Sequence, residues 1–90
     1  MKKQHTFTAI IEHEEDGYTA LCPEFDIASQ GDSVEQARKN LIEALELFFE
    51  TASETEIQER LHDEVFITRV EVKVRQSKLP RELFEVGSKR

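Results

Sequence analysis

Three histidines and a single cysteine are the side chains of this chain best suited to acid/base or metal chemistry. The histidines are His5, His13 and His62, and no two of them lie three or four residues apart, the spacing that places two ligands on one helical face. Because Cys22 is alone, the chain forms neither an internal disulfide nor a cluster of zinc-binding thiolates. The sequence therefore predicts no metal and no cofactor.

Carboxylates are concentrated ahead of the first glycine, at Glu12, Glu14, Glu15 and Asp16. In a turn these groups are screened by water, whereas acid/base catalysis needs a carboxylate held against its substrate. No serine lies in a Gly-x-Ser-x-Gly motif, and the three glycines are too scattered to surround a phosphate. We therefore expect a protein that is not an enzyme.

The formal charge of −7 is unevenly distributed. Residues 5 to 64 contain sixteen Asp and Glu against three Lys and Arg, whereas residues 69 to 90 carry seven basic and three acidic side chains. An acidic body repels nucleic-acid phosphates and attracts basic proteins. These charges favour a basic protein partner and make direct DNA binding doubtful.

Ninety residues correspond to one small domain with a modest core, which favours a homodimer or higher homo-oligomer. No apolar run approaches the roughly 20 residues of a membrane helix, and no signal-peptide core follows the first residues. We expect a cytoplasmic protein with a domain at residues 1 to 75 and a tail at 76 to 90.

Alternation with a period of two predicts strands in the first third of the chain. The first strand runs from His5 to about residue 12 or 13, and Asp16-Gly17 provides a turn that tolerates positive φ before a second strand at residues 18 to 22. Pro23 lacks an amide donor, so residues 23 to 26 are expected to form an exposed loop. A short third strand follows at residues 27 to 31.

Two capping boxes predict two helices after these strands. Ser33 with Gln36 begins a long amphipathic helix, and Ser53 with Glu56 begins a short one through Leu61. Phe49 lies beside the main apolar stripe of the long helix, so we assign it to an oligomer interface.

The last part of the chain alternates again over residues 65 to 74, which predicts a fourth strand. Residues 79 to 87 form either one or two helical turns or a frayed end. The predicted fold class is α+β, a three- to four-stranded, mainly antiparallel sheet with one long helix packed on it. Its element order is β-β-β-α-(short α)-β.

Four segments together resemble one known family. They are Asp16-Gly17-Tyr18, Cys22-Pro23-Glu24, Ser29-Gln30-Gly31-Asp32-Ser33 and the amphipathic helix at residues 41 to 50. In this order and spacing the chain is similar, over residues 5 to 74, to HicB-like antitoxins. The resemblance implies a fold like a truncated ribonuclease H, without its activity. It also implies a type II toxin–antitoxin pair in which the antitoxin covers HicA, a small basic toxin that cleaves mRNA with a histidine.

Two features depart from the pattern of many family members. Only 16 residues follow Val74, too few for the helix-turn-helix or ribbon-helix-helix domain with which such members bind their operators. Where many members have Leu-Pro-Gly-Cys after the Cys-Pro-Glu, this chain has Phe25-Asp26-Ile27-Ala28. We therefore expect toxin recognition through that loop to differ.

The residues predicted to bind the partner surround the hairpin turn and the loop after the second strand: Asp16, Tyr18, Pro23, Glu24, Phe25 and Asp26. Tyr18 and Phe25 are the strongest candidates, since aromatic side chains beside exposed loops commonly anchor interfaces. The main alternative is an orphan HicB-like protein that only assembles with itself. A nuclease is disfavoured by the lack of a metal cluster, and a transcriptional regulator by the length of the chain.

Overall fold

The computed structural model describes residues 3 to 80 as one sheet packed against a long helix. The elements are β1 (Ile10–Glu14), β2 (Gly17–Cys22), β3 (Ile27–Gly31), α1 (Val34–Thr51), α2 (Glu54–Arg60) and a 3-10 turn at Gln76–Lys78. The sheet is antiparallel in the order β1-β2-β3, and α1 packs mainly on β3 and β2. The predicted α+β class, the long helix and the short second helix are confirmed.

The β1–β2 hairpin is confirmed, but its turn differs from the prediction. Glu14 lies opposite Gly17, so Glu15 and Asp16 form a two-residue turn, and Gly17 belongs to β2 without a positive φ. Glycine is needed at this position for a different reason: a Cβ atom there would lie 2.5 Å from the carbonyl oxygen of Gly31. Glycine at position 17 therefore permits the close approach of β2 and β3.

The first strand begins at Ile10 instead of His5. The residues that would pair with residues 7 and 8 are Pro23 and the residue after it, where the backbone has already left the sheet. Residues 7 and 8 therefore have no strand to pair with. The Thr8 amide instead donates to the Glu24 carboxylate. The Glu24 side chain thus accepts the amide hydrogen bond that a neighbouring strand would otherwise accept. The residues before Ile10 therefore do not join β1, although their alternation predicts that they do.

Both helices begin at the predicted caps. The Ser33 hydroxyl accepts the Gln36 amide at 3.0 Å, and the Ser53 hydroxyl accepts the Glu56 amide at 3.1 Å. A Cβ atom on Gly31 would lie 2.6 Å from the Ala37 nitrogen, so β3 runs directly against the first turns of α1.

The core lies between the sheet and α1. Its fully buried residues are Ala20, Cys22, Phe25, Ala37 and Leu41. Beside them, the rings of Phe7, Phe25, Phe48 and Phe49 contact one another at centroid distances of 5.0 to 5.7 Å. The half-buried ring of Phe49 packs on Phe7 and Phe25 of its own chain, and its assignment to an oligomer interface stays a prediction.

The predicted fourth strand is also wrong for the single chain. Residues 61 to 75 form neither helix nor strand, and the apolar side chains of residues 66 to 74 are exposed. The alternation is present in the sequence, but a strand also needs a neighbouring edge, and within residues 3 to 80 none lies beside this segment. Of the predicted tail helix, residues 81 to 87 lie outside the described residues.

None of the helices within residues 3 to 80 combines the length and the apolar composition required to cross a membrane.

Candidate functional site

The six predicted partner-binding residues lie at opposite ends of β2. Asp16 and Tyr18 flank its first residue, which we call the hairpin end, and residues 23 to 26 follow its last residue, which we call the loop end. A strand of six residues separates its two ends by roughly 17 Å. The predicted residues therefore form two surfaces and not one site.

The loop end is hydrogen-bonded to residues that lie more than thirty positions later in the chain. The Arg60 guanidinium donates to the Phe25 carbonyl at 2.9 and 3.3 Å and to the Asp26 carbonyl at 3.1 Å, while it lies 5.2 Å from the centre of the Phe48 ring. The His62 amide donates to the Glu24 carbonyl at 2.7 Å. Three successive loop carbonyls are thus bound to the end of α2 and the residues after it.

The Glu24 carboxylate binds within its own chain. It accepts hydrogen bonds from the Thr8 amide at 3.0 and 3.2 Å, from the Thr8 hydroxyl at 2.7 Å and from the Cys22 thiol at 3.3 Å. Partial burial by itself raises the pKa of this carboxyl, but the hydrogen bonds from Thr8 outweigh burial and bring its pKa below the ordinary value. Glu24 is therefore an ionised structural group that connects β2 to the segment before β1.

Burial also raises the pKa of the Cys22 thiol, and the neighbouring Glu24 carboxylate raises it further. A thiol with a raised pKa is mostly protonated at neutral pH, and the protonated form is a poor nucleophile. The thiol is fully buried and donates its hydrogen to that carboxylate. Its contacts are those of a packed core residue.

Phe25 does not lie on the surface. Only 2% of it is exposed, and its ring packs against Phe7, Phe48 and Phe49. The expectation of an exposed aromatic contact is therefore wrong at this position. Pro23 and Glu24 are half-buried, whereas Asp26 is exposed with a φ of 57°, the one positive value among the non-glycine residues from 3 to 80.

The hairpin end is open. An open depression of about 610 Å³ lies between the β1–β2 turn and the end of β3, and it is lined by residues 14 to 18 and 30 to 32. Four carboxylates line it, those of Glu14, Glu15, Asp16 and Asp32, and all four residues are exposed. Tyr18 is its aromatic lining residue, half-buried and 5.0 Å from the His13 ring.

This arrangement is suited to binding a cationic group. Exposed carboxylates around a concave surface accept hydrogen bonds from Arg or Lys, and the tyrosine adds an aromatic contact. Sequence reasoning included Asp16 and Tyr18 but did not place Asp32 beside them. The antiparallel register places Gly31 opposite Tyr18 and thereby brings Asp32 to the hairpin end.

Among residues 3 to 80, no three His, Cys, Asp or Glu side chains are arranged to hold a metal ion. His13 packs on Tyr18, and the His5 ring lies 6.4 Å from that of Phe7.

Comparison with known proteins finds a similar chain in a cyanobacterium. The sequence is 42% identical, over 52 residues, to a UPF0150 protein of Synechocystis sp. (strain ATCC 27184 / PCC 6803 / Kazusa). The alignment covers 56% of this chain and 66% of that relative, just under two thirds of its length. No protein-family model matches the chain, and no solved structure matches it. The similarity identifies a distant homologue.

Proposed function

We propose that this chain is a cytoplasmic antitoxin that binds a small, basic, HicA-type mRNA-cleaving toxin and blocks it by direct contact. The observation that carries the proposal is the acidic depression at the hairpin end, with its four carboxylates beside Tyr18. Opposite charges speed and orient the encounter of two proteins, and a partly desolvated aromatic residue commonly contributes much of the affinity.

Two further observations support this function. The homologous UPF0150 protein belongs to a family related to HicB-like antitoxins. The sheet with one long helix also agrees with the truncated fold that the resemblance to HicB-like proteins implies.

In this proposal the two ends of β2 have different tasks. The hairpin end contacts the toxin, because its carboxylates and Tyr18 are accessible there. The loop end fixes the other end of the sheet, because its backbone and the Glu24 carboxylate are bound within the chain. The prediction that Pro23, Glu24 and Asp26 also contact the partner requires that contact to form without breaking these bonds.

The proposal is tested with any small basic protein that a tagged copy of this chain captures from its native host, purified and assayed for mRNA cleavage and for binding. We expect stoichiometric binding and loss of cleavage with the wild-type chain. The combined variant Glu14→Gln, Glu15→Gln and Asp16→Asn, and separately Tyr18→Ala, should weaken binding about tenfold or more. The charge variant should also show a smaller dependence of affinity on salt.

A matched control removes three charges elsewhere, through Glu43→Gln, Glu46→Gln and Glu59→Gln, all exposed on the helices. It should retain most of the affinity. Equal weakening by both triple variants would show that net charge, and not the hairpin end, governs binding.

An orphan protein that assembles only with itself is the second candidate. The exposed apolar side chains of residues 66 to 74 favour it, since such surfaces commonly bind another chain. A tagged copy recovered from its native host in defined ratio with a small basic protein supports the antitoxin. Recovery with copies of itself alone supports the orphan.

A further inference from the structure

The segment at residues 65 to 74, which we call the arm, has the composition of a half-buried strand, and no strand in the described part of the chain, residues 3 to 80, lies beside it. Phe66, Val70 and Val72 are 83%, 79% and 76% exposed. In an extended chain these residues share one face with Thr68 and Val74, while Arg69, Glu71 and Lys73 lie on the other. An exposed apolar face of this kind marks a binding surface.

A strand of this kind requires a sheet edge, and the two edges of the sheet differ. At the β3 edge the Gln30 carbonyl already accepts a hydrogen bond from the Asn40 side chain at 2.7 Å. Along β1, residues alternate between those whose backbone groups point toward β2 and those whose backbone groups point away from it. The Thr8 amide donates to Glu24, on the β2 side, so the even-numbered residues point toward β2 and the odd-numbered ones point outward. The outward set includes Ile11 and His13, and no side chain within residues 3 to 80 hydrogen-bonds to their backbone. Within the described residues the β3 edge is therefore partly occupied, and the outward backbone groups of β1 are free to pair with an added strand.

Apolar surface lies next to this edge. Helix α1 covers β3 and β2 but contacts β1 only slightly. Phe49 contacts Phe7, just before β1, and Leu45 and Ile42 precede it by one and two helical turns on the same side of α1. Leu45 is half-buried and Ile42 is 39% exposed. A strand added to β1 would place its apolar face against this side of the helix.

The charges of the arm and of β1 are complementary. Residues 65 to 80 contain four Lys and Arg and one Glu, whereas β1 and its turn are strongly acidic. Cross-strand pairs of opposite charge stabilise a sheet, and like charges destabilise it.

We propose that the arm of each chain adds as a fourth strand to the β1 edge of a second copy, forming a reciprocal dimer. We assign the arm that binds this edge to a second copy because, in the single chain, the arm extends away from its own domain. The His62 amide fixes the start of the arm at the loop end, and the side chains beyond residue 65 then project into solvent. Reciprocal exchange about a two-fold axis fills both edges and closes the assembly. This inference does not depend on the proposed antitoxin function.

The test uses the full chain, purified alone, with light scattering coupled to size exclusion from low to high micromolar concentration. We expect a dimer whose dissociation constant rises about tenfold or more in the double variant Val70→Lys and Val72→Lys, since each valine is buried at the contact. The control Glu71→Gln lies on the opposite face of the same arm and should change it much less.

Hydrogen exchange distinguishes the alternatives. The amides of residues 66 to 74 should be protected in the dimer and should exchange freely in the Lys variant, whose domain remains folded because these side chains are exposed in the single chain. A monomer at all concentrations would overturn the proposal. So would a dimer that is insensitive to the Lys variant, or arm amides protected in a monomer, which would mean that the arm pairs with its own β1.

Discussion

The two ends of β2 begin from similar sequences and have different structures. Each combines an aromatic residue with carboxylates in a turn beside a strand. At the loop end the aromatic ring is buried and the carboxylate and carbonyls are hydrogen-bonded within the chain, whereas at the hairpin end the carboxylates remain exposed. Composition and local pattern do not distinguish a turn that is hydrogen-bonded within the chain from one that stays exposed. The difference comes from the hydrogen-bond partners that distant parts of the chain supply.

The largest expected difference between the two ends comes from their aromatic residues. Phe25→Ala should lower the free energy of unfolding by about 3 to 5 kcal/mol, because it removes a buried ring and leaves a cavity among three other phenylalanines. Tyr18→Ala, at a half-buried position, should lower it by less than half as much. Urea unfolding at fixed protein concentration measures both values. Equal losses would contradict the distinction between the ends.

The second comparison concerns Arg60, which binds the loop carbonyls. Arg60→Met keeps an apolar side chain over Phe48 but removes the hydrogen bonds to Phe25 and Asp26, and should cost about 1.5 to 3 kcal/mol. The matched control is Arg38→Met, which removes an exposed arginine whose ion pair with Glu35 is 3.4 Å long. Exposed pairs of this kind contribute about 1 kcal/mol or less. If both variants unfold at the same urea concentration, Arg60 does not hold the loop end.

The smallest effect compares one carboxylate at each end across pH. Glu24→Gln should cost about 1 kcal/mol at neutral pH, since an amide has one oxygen to offer where the carboxylate has two. Because the folded pKa of Glu24 lies below its ordinary value of 4.5, this contribution is complete above that pH and is lost as pH falls through the folded pKa.

Stability curves measured from neutral to acidic pH test this prediction. The gap between wild type and Glu24→Gln should narrow below about pH 4.5. Glu15→Gln, in the exposed turn at the hairpin end, should leave stability within about 0.5 kcal/mol of wild type at neutral pH. A gap for Glu24→Gln that is constant across pH would mean that its charge contributes nothing to folding.

Local signals predicted most of the fold. Ser33 and Ser53 bind amides three residues away, and the β1–β2 hairpin joins neighbours, so the information lies within a few residues. The loop end could not be predicted in this way. Arg60 is 35 residues from Phe25 and Thr8 is 16 residues from Glu24, and neither pairing has a spacing that a pattern can identify.

The arm is a second case in which a local pattern does not predict the structure. Its alternation predicts which side chains would share a face in an extended chain, but strand formation depends on an edge that the alternation does not specify. Likewise, Tyr18 and Asp16 were found at the hairpin end by residue type, while Asp32 joined them through the register of β3.

The buried thiol of Cys22 makes opening of the loop end measurable. It is the one cysteine of the chain, it has no exposed surface, and its hydrogen bond ends on the Glu24 carboxylate at the loop end. A thiol reagent can reach it only after that end has opened and the sulfur has become exposed and ionised. The rate of its alkylation therefore reports how often the loop end opens, and the native sequence already carries the chemical probe for that motion.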